Sequence, residues 1–486
     1  MKKSSVVLIF LSAAFAAFAQ TNTDVAATRA MSLADCIQEA VTHNFDVQVQ
    51  RYNPQISLYE LYADYGGYDP TFNISGQHDY NNQGPDGTYP AITKDNSFKS
   101  DIGGALPWGM TYDLSGNAKK QYYPTNDSSG TIQAQVTQPL LKNFWIDSTR
   151  LTIRVAKNRL KYSEQGLREQ IITSVTAVEN AYYELIYALD NVTVQQEALD
   201  LAQTQLDQDK QRVQIGTLAP LSVQSDEAQV ASSRASLIAA QSTLETDQDT
   251  LKNLLTDNYG QWHDTDIQPM ATLTAPMQSF DLQDSWNKGM TERPDLLQAR
   301  LNVEEQGIQL KFDRNQIFPE LDLVGTLGYN GEGQQFGDTF SQFNETDRPF
   351  YSYGMQLSIP LGNIKARNSL KSDKATLQQL VLTLKQFEQN IMVDIDTAVK
   401  QAQSDYQSVD ATRQARIYAE AALDAEQKTY AVGKATTFEV LQYQSALTTA
   451  RGAEIRALAN YEESLAALAA QEGSTLERNG IDIDEK

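Results

Sequence analysis

The chain has one cysteine, Cys36, so it can form no internal disulfide and no cysteine-based metal cluster. Its three histidines, His43, His78 and His263, are far apart in sequence, which argues against a zinc centre or a histidine-based catalytic site; no cofactor is expected. Positive charge is scarce: 39 Lys and Arg stand against 62 Asp and Glu, for a formal net charge of -23. Phosphate binding needs clustered Lys and Arg, so nucleic acid is not an expected partner. No apolar run reaches the roughly 20 residues of a membrane-spanning helix. Helix breakers are missing from two long stretches: Asn363 to Val432 holds neither proline nor glycine, and Ser148 to Ile215 is interrupted only by Gly166.

These two stretches organise the 486 residues. In the second, Leu370, Leu377, Leu384, Ile391, Ile395 and Val399 recur at helical spacing. At about 1.5 Å per residue, each stretch makes a rod roughly 100 Å long. Periodic patterns of that length point to coiled coils rather than ordinary globular helices. The first rod carries a sevenfold seam at Val192, Leu199, Leu206 and Val213, and after a break at Gly216 a return helix carries another at Val223, Val230, Leu237, Leu244 and Leu251.

The N-terminus reads as a secretory signal over residues 1–19. Lys2 and Lys3 precede an apolar run from Val6 to Phe18, and Ala17-Phe18-Ala19 forms a small-x-small cleavage site that leaves Gln20 first. Leu33-Ala34-Asp35 before Cys36 is a poor lipoprotein signal, and Cys36 is expected as a buried helix residue.

From there the chain states one plan twice. Residues 20–69 hold an N-terminal helix, capped at Ser32 and running to Tyr65. Residues 70–139 hold strands: Phe72, Ile74 and Tyr80 alternate with Asn73 and Ser75, a loop follows from Asn81 to Asp95, and Ile132, Ala134 and Val136 alternate with Thr131, Gln133, Gln135 and Thr137. Residues 140–257 form the first long helical hairpin, and 258–280 a polar linker. Leu33 and Leu282, Asp35 and Asp284, Asp46 and Asp295, and Pro70 and Pro319 are all separated by 249 positions, the mark of internal duplication. The second copy has a helix over 281–318, strands over 319–360, a hairpin over 361–470 turning at Gly433, and a loose polar tail over 471–486. Its strands put Tyr351, Tyr353, Met355 and Leu357 against Ser352, Gly354, Gln356 and Ser358.

In each copy the two shorter helices, laid end to end, match one rod in length. A half is therefore expected to be one continuous rod beside one rod split at mid-height, with linker and tail at the split. Alternating strands at the rod end suit lipid on one face and water on the other, although a soluble antiparallel sheet alternates similarly. Open edges are not tolerated in a bilayer, so several copies must close the barrel. Acidic pairs such as Asp394 and Asp396 do not face each other on a helix, and no enzyme is expected.

The ordered set of junctions resembles the outer-membrane efflux protein family, the TolC-like channels, over nearly the whole mature chain. The strongest pieces are Glu292-Arg293-Pro294-Asp295-Leu296 followed by Phe318-Pro319-Glu320-Leu321-Asp322-Leu323. Gln138-Pro139-Leu140 and Ile359-Pro360-Leu361 are similar to the family's strand-to-rod junctions, and Gln214-Ile215-Gly216-Thr217 and Ala431-Val432-Gly433-Lys434 to its helix-tip turns. The resemblance implies an α+β membrane protein with a duplicated helix–strand–strand–helix–helix plan. A homotrimer would build one outer-membrane β-barrel continued by a long periplasmic α-helical barrel. It implies a passive exit duct for efflux or type I secretion, in contact with outer-membrane lipid, a periplasmic adaptor protein and an inner-membrane transporter of the RND, ABC or MFS class. Gly216, Thr217, Leu218, Gly433 and Lys434 would meet the adaptor, and Tyr430, Glu439, Gln442 and Ser222 would stand at the periplasmic aperture. Gln442, Ser222 and Ala435 lack the charge that family members can carry there, so these positions do not predict a closed state held by ion pairs. The rival reading is a periplasmic coiled-coil adaptor or scaffold, which would not explain paired amphipathic strands. One departure stays open: Pro70 to Pro139 spans 69 positions and Pro319 to Pro360 only 41. Leu106-Pro107-Trp108-Gly109 reads either as a turn between two added strands or as part of an enlarged loop.

Overall fold

The structure, a computed structural model, describes residues 27–82, 92–345 and 348–481. The expected signal peptide and residues 83–91 of the expected first loop lie outside the described residues.

The first half runs β1 (Ala27–Met31), α1 (Leu33–His43), α2 (Phe45–Tyr65), β2 (Thr71–Asn82), β3 (Ile92–Ala105), β4 (Thr111–Tyr123), β5 (Asp127–Pro139), α3 (Ser148–Gln214) and α4 (Pro220–Leu255). Between the halves lie α5 (Tyr259–Trp262) and β6 (Thr265–Pro269). The second half runs α6 (Leu282–Glu292), α7 (Pro294–Gln316), β7 (Glu320–Gly333), α8 (Phe336–Glu345), β8 (Pro349–Ser358), α9 (Ile364–Ala431), α10 (Thr437–Glu472) and α11 (Thr475–Arg478). The rods α3 and α9 are 67 and 68 residues long.

Ser32 caps α1 as expected: its hydroxyl accepts from the Asp35 amide (3.2 Å), and the Asp35 carboxylate accepts from the Ser32 amide (3.0 Å). The helix does not continue to Tyr65. It breaks at Asn44, whose side-chain oxygen accepts from the amides of Asp46 (2.9 Å) and Val47 (3.3 Å) and so starts α2 afresh. The helix expected over 281–318 breaks in the same way before Pro294, whose ring disfavours helical backbone at Arg293. Arg293 then clamps Asp295, with contacts of 3.0 and 2.6 Å, and reaches Gln471 at 2.8 Å.

Near the rod ends that carry the sheet, α2, α3, α7 and α9 pack side by side; toward the glycine tips the order is α4, α3, α10, α9. Each rod thus lies against two shorter helices in succession, as the lengths implied. The main core sits at the split, where Ile37, Val47, Val175, Val178, Tyr182, Leu185, Leu251 and Leu255 are buried together with Cys36. The linker is not wholly irregular: β6 pairs in parallel with β1. The Tyr182 hydroxyl pins both, donating to the Met31 carbonyl (3.1 Å) and accepting from the amides of Met270 (3.2 Å) and Ala271 (3.3 Å). Residues 471–481 of the expected loose tail are instead docked on the core through Leu476, with Thr475 fully buried, and residues 482–486 lie outside the described residues.

The strands form one six-stranded antiparallel sheet in the order β2-β3-β4-β5-β7-β8. The longer first section therefore adds two strands, and Leu106–Met110 is the turn between them: the Leu106 amide donates to the Met110 carbonyl (2.7 Å) and the Gly109 amide to that of Leu106 (2.8 Å). Register aligns the alternation across all six strands. One cross-strand row reads Phe72, Ile102, Leu114, Ala134, Leu327 and Tyr351. The row one residue away, on the opposite face, reads Asn73, Asp101, Ser115, Gln133, Gly328 and Phe350, polar on four strands of six. The two edges, β2 and β8, have no strand beyond them among the described residues.

Candidate functional site: the helix tips

The two hairpins turn on glycines with the same backbone. Gly216 and Gly433 both have φ +77°, in the left-handed region that side chains with a Cβ avoid. In each turn the glycine amide donates three residues back, to Val213 (3.0 Å) or Tyr430 (3.0 Å). The next amide, of Thr217 or Lys434, donates five residues back, to Arg212 (2.9 Å) or Thr429 (3.1 Å). This doubled bond pattern closes a helix C-terminus tightly. Thr217 and Lys434 are exposed and Leu218 is half-buried, beyond the last helical residues.

Behind the turns the halves differ. Thr436 caps α10: its hydroxyl accepts from the Glu439 amide (3.3 Å), and the Glu439 carboxylate accepts from the Thr436 amide (2.7 Å) and hydroxyl (2.9 Å). Those bonds hold Glu439 below the usual carboxylate range, so it stays charged on an exposed surface. Gln442 is exposed, and Ser222 is half-buried on α4. In α4 no side chain caps the start; Pro220 fills the first turn instead.

Tyr430 does not lie on a solvated face. It is 5 % exposed, and its hydroxyl donates to both carboxylate oxygens of Asp209 at 2.6 Å. The Thr437 hydroxyl lies 3.0 Å from the Tyr430 oxygen and 3.2 Å from Asp209, and the Gln205 amide donates to Asp209 at 3.1 Å. Arg212 sits over the Tyr430 ring, 4.5 Å from its centre. Next to Asp209, Asp226 on α4 is fully buried and no donor reaches either of its oxygens. Burial, then the Asp209 charge and a hydrogen bond shared with Asp209, push Asp226 up to about 7. The cluster joins four helices: α3 and α4 of the first half supply the acids, α9 and α10 of the second the hydroxyls. It brings in Tyr430 of the expected aperture residues and leaves Glu439, Gln442 and Ser222 out. Asp209 and Asp226 carried no sequence signal, since their partners lie far along the chain and one extra acid on an acidic helix is unremarkable.

The sequence matches the family described as Outer membrane efflux protein over residues 36–256 and 288–474, most of the chain. The chain belongs to the outer membrane efflux protein family. It is 23 % identical over 378 residues to outer membrane protein TolC of Escherichia coli strain K12, covering 76 % of this chain and 74 % of that one. It is 22 % identical over 346 residues to outer membrane efflux protein BepC of Brucella suis, covering 70 % and 72 %. Among solved folds, the CmeC outer-membrane channel of Campylobacter jejuni superposes with a TM-score of 0.69 at 14 % identity over 91 % of this chain and 86 % of that one. VceC of Vibrio cholerae gives 0.67 at 18 % identity, over 91 % and 96 %.

This efflux protein is thus an outer-membrane channel with a periplasmic extension, of a family of channels rather than enzymes. No described helix is long and apolar enough to cross a membrane. Among the described residues no His, Cys, Asp or Glu cluster is arranged to hold a metal ion.

Proposed function

We propose that three copies of this chain close a continuous duct and that the glycine tips form its periplasmic aperture. Edge closure supports the trimer: β2 and β8 run in opposite directions, so the β8 of one copy can pair antiparallel with the β2 of the next. Girth supports it too. Three copies of the four-helix layer give twelve helices, which at about 9.5 Å spacing measure roughly 110 Å around. Three copies of the sheet give eighteen strands, which at about 4.8 Å spacing and about 40° tilt measure roughly 110 Å as well. Twelve strands would need a tilt near 60° to match, well beyond the roughly 35–45° of known barrels. The added hairpin lets sheet and helices meet at one diameter.

The tie between Tyr430 and Asp209 is the observation that carries the gating reading, because it fastens the second hairpin to the first just behind the tips. With the tie made, the aperture is narrow; releasing it lets α9 and α10 swing outward. Glu439 and Gln442 face the aperture, with Ser222 beside them, and three copies of Glu439 ring it with negative charge that favours cations. The turns at Gly216-Thr217-Leu218 and Gly433-Lys434 dock a periplasmic adaptor that links the duct to an inner-membrane transporter. Planar-bilayer conductance tests both parts. Tyr430→Phe, which keeps the ring and removes the donor, is expected to raise conductance several-fold, and wild-type conductance would remove the tie from the gate. Glu439→Gln keeps a residue that can cap the helix and removes the charge. It is expected to weaken cation selectivity, and unchanged selectivity would move Glu439 off the aperture.

A further inference from the structure

The stretch from Asn330 to Arg348 is rich in Gly, Asp and Asn and reads as a loop, yet the connection between β7 and β8 contains α8. The helix lies against the sheet, and the side it lies on can be read from register. Gly130 pairs with Gly331 and Ser128 with Gly333, continuing in steps of two the apolar face of Ile132, Ala134, Leu327 and Tyr329. A Cβ built on Gly130 would come within 3.0 Å of the Phe343 ring and of the Thr339 methyl, and one on Gly331 would meet the same two side chains. Thr339 is fully buried, with its hydroxyl 2.7 Å from that of Ser128, and Lys120 donates to the Gln334 carbonyl at the start of the helix. The glycines are therefore a notch cut in the outward face, and α8 fills it from outside the barrel, not from the lumen.

Height and exposure say what covers its other side. From Leu321 to Gly331 is ten residues, which at about 3.3 Å each and about 40° tilt rise roughly 25 Å, the height of an outer-membrane apolar band. At this level the outward face changes character: Ile74 and Phe72 give way to His78, which lies 2.5 Å from Asn96, itself a donor to the Tyr122 hydroxyl at 3.2 Å. The helix thus sits where acyl chains meet headgroups. Phe343 is inserted in the notch, whereas Phe340, stacked edge-on to it at 5.9 Å, is 51 % exposed. Phe336, one turn earlier, is half-buried.

We infer that α8 is an interfacial helix seated in the external leaflet of the outer membrane, with Phe340 and Phe336 turned to the acyl-chain boundary and the glycine notch holding the helix to the wall. Its occupant is lipid, because α8 extends the sheet's lipid-facing side without a break. The inference rests on the barrel proposed above. The test uses the full-length protein in phosphatidylethanolamine–phosphatidylglycerol vesicles, with nitroxide labels at Phe340→Cys, Leu327→Cys on the outward face and Gln133→Cys on the inward face. Cys36 is fully buried, with its thiol pushed up to about 12, and escapes labelling. Expected is higher collision with oxygen than with a water-soluble nickel chelate at Phe340→Cys and Leu327→Cys, and the reverse at Gln133→Cys. Phe336→Cys is expected to rank with Phe340→Cys, which guards against disturbance by a single label. Chelate access at Phe340→Cys with Leu327→Cys still in lipid overturns the inference alone. Chelate access at both overturns the barrel. Spin–spin broadening at Phe340→Cys shows a second copy on α8 and also overturns the inference.

Discussion

The two halves of the chain agree where they turn and disagree where they cross the membrane. Gly216 and Gly433 share one φ and one bond pattern, 217 positions apart, yet the first half puts four strands in the sheet and the second only two. A turn is set by two or three backbone bonds and survives divergence of everything around it. A strand count follows from closure: a hairpin can be added to one half so long as the whole ring still meets the helices below. The tips also show that duplicated scaffolds need not carry duplicated chemistry. The acids of the buried cluster come from the first half, its hydroxyl donors from the second.

Four sets of substitutions sharpen that comparison. The largest effect is expected at mid-height. Tyr182→Ala removes a fully buried ring and a hydroxyl serving three backbone groups, and should cost about 3–5 kcal/mol. Tyr461→Ala in the second half, whose hydroxyl serves only the Pro276 carbonyl, should cost less. Thermal dissociation of the purified assembly ranks the two. At the tips, valine in place of Gly216 or of Gly433 should cost about 2 kcal/mol at either position, because a β-branched residue is forced into left-handed backbone. Unequal costs would show that the two turns are not equivalent.

The acid pair should give about a tenfold change in open fraction, or 1.4 kcal/mol. The folded-state pKa of Asp226 is raised above its ordinary value of 3.8 to about 7, so the stability it lends the closed cluster is complete at low pH and is lost as pH rises through about 7. Over that rise two carboxylates come to face each other behind Tyr430 and Arg212, and conductance should climb, levelling off above about 7. Asp226→Asn, still a donor to Asp209, should flatten the profile. The smallest effect concerns the caps. Thr436→Ala should cost about 1 kcal/mol, while Ala219→Ser, which gives α4 the cap it lacks, should gain roughly 0.5–1 kcal/mol. Protease sensitivity at the tips reads both.

How much of this was legible in the chain depends on distance along it. Rods, glycine turns and the duplicated plan are written in local spacing, and the alternation of β5, β7 and β8 shows directly in their residues. The breaks at Asn44 and Arg293 also carry local signals, Asn44 as a capping residue and Pro294 as a helix breaker after its neighbour, but the apolar spacing on either side of each break reads as one helix. The pairing of β1 with β6 needed a partner 238 positions away, from Ala27 to Thr265, and neither strand alternates. The helix α8 sits in a composition of Gly, Asp and Asn that reads as loop, although Phe336, Phe340 and Phe343 keep a helical spacing inside it. The tie at Asp209 was invisible for the plainest reason: Tyr430 is 221 positions downstream.

The central claim is that two unequal copies of a rod-and-sheet unit in each chain close, three chains together, into one duct whose sheet and helices share a diameter. A single-particle density map of the full-length protein in lipid nanodiscs tests it most directly by counting elements around the ring. The account predicts eighteen strands above twelve helices, whereas a ring of twelve strands, with β3 and β4 folded away from the wall, would contradict it.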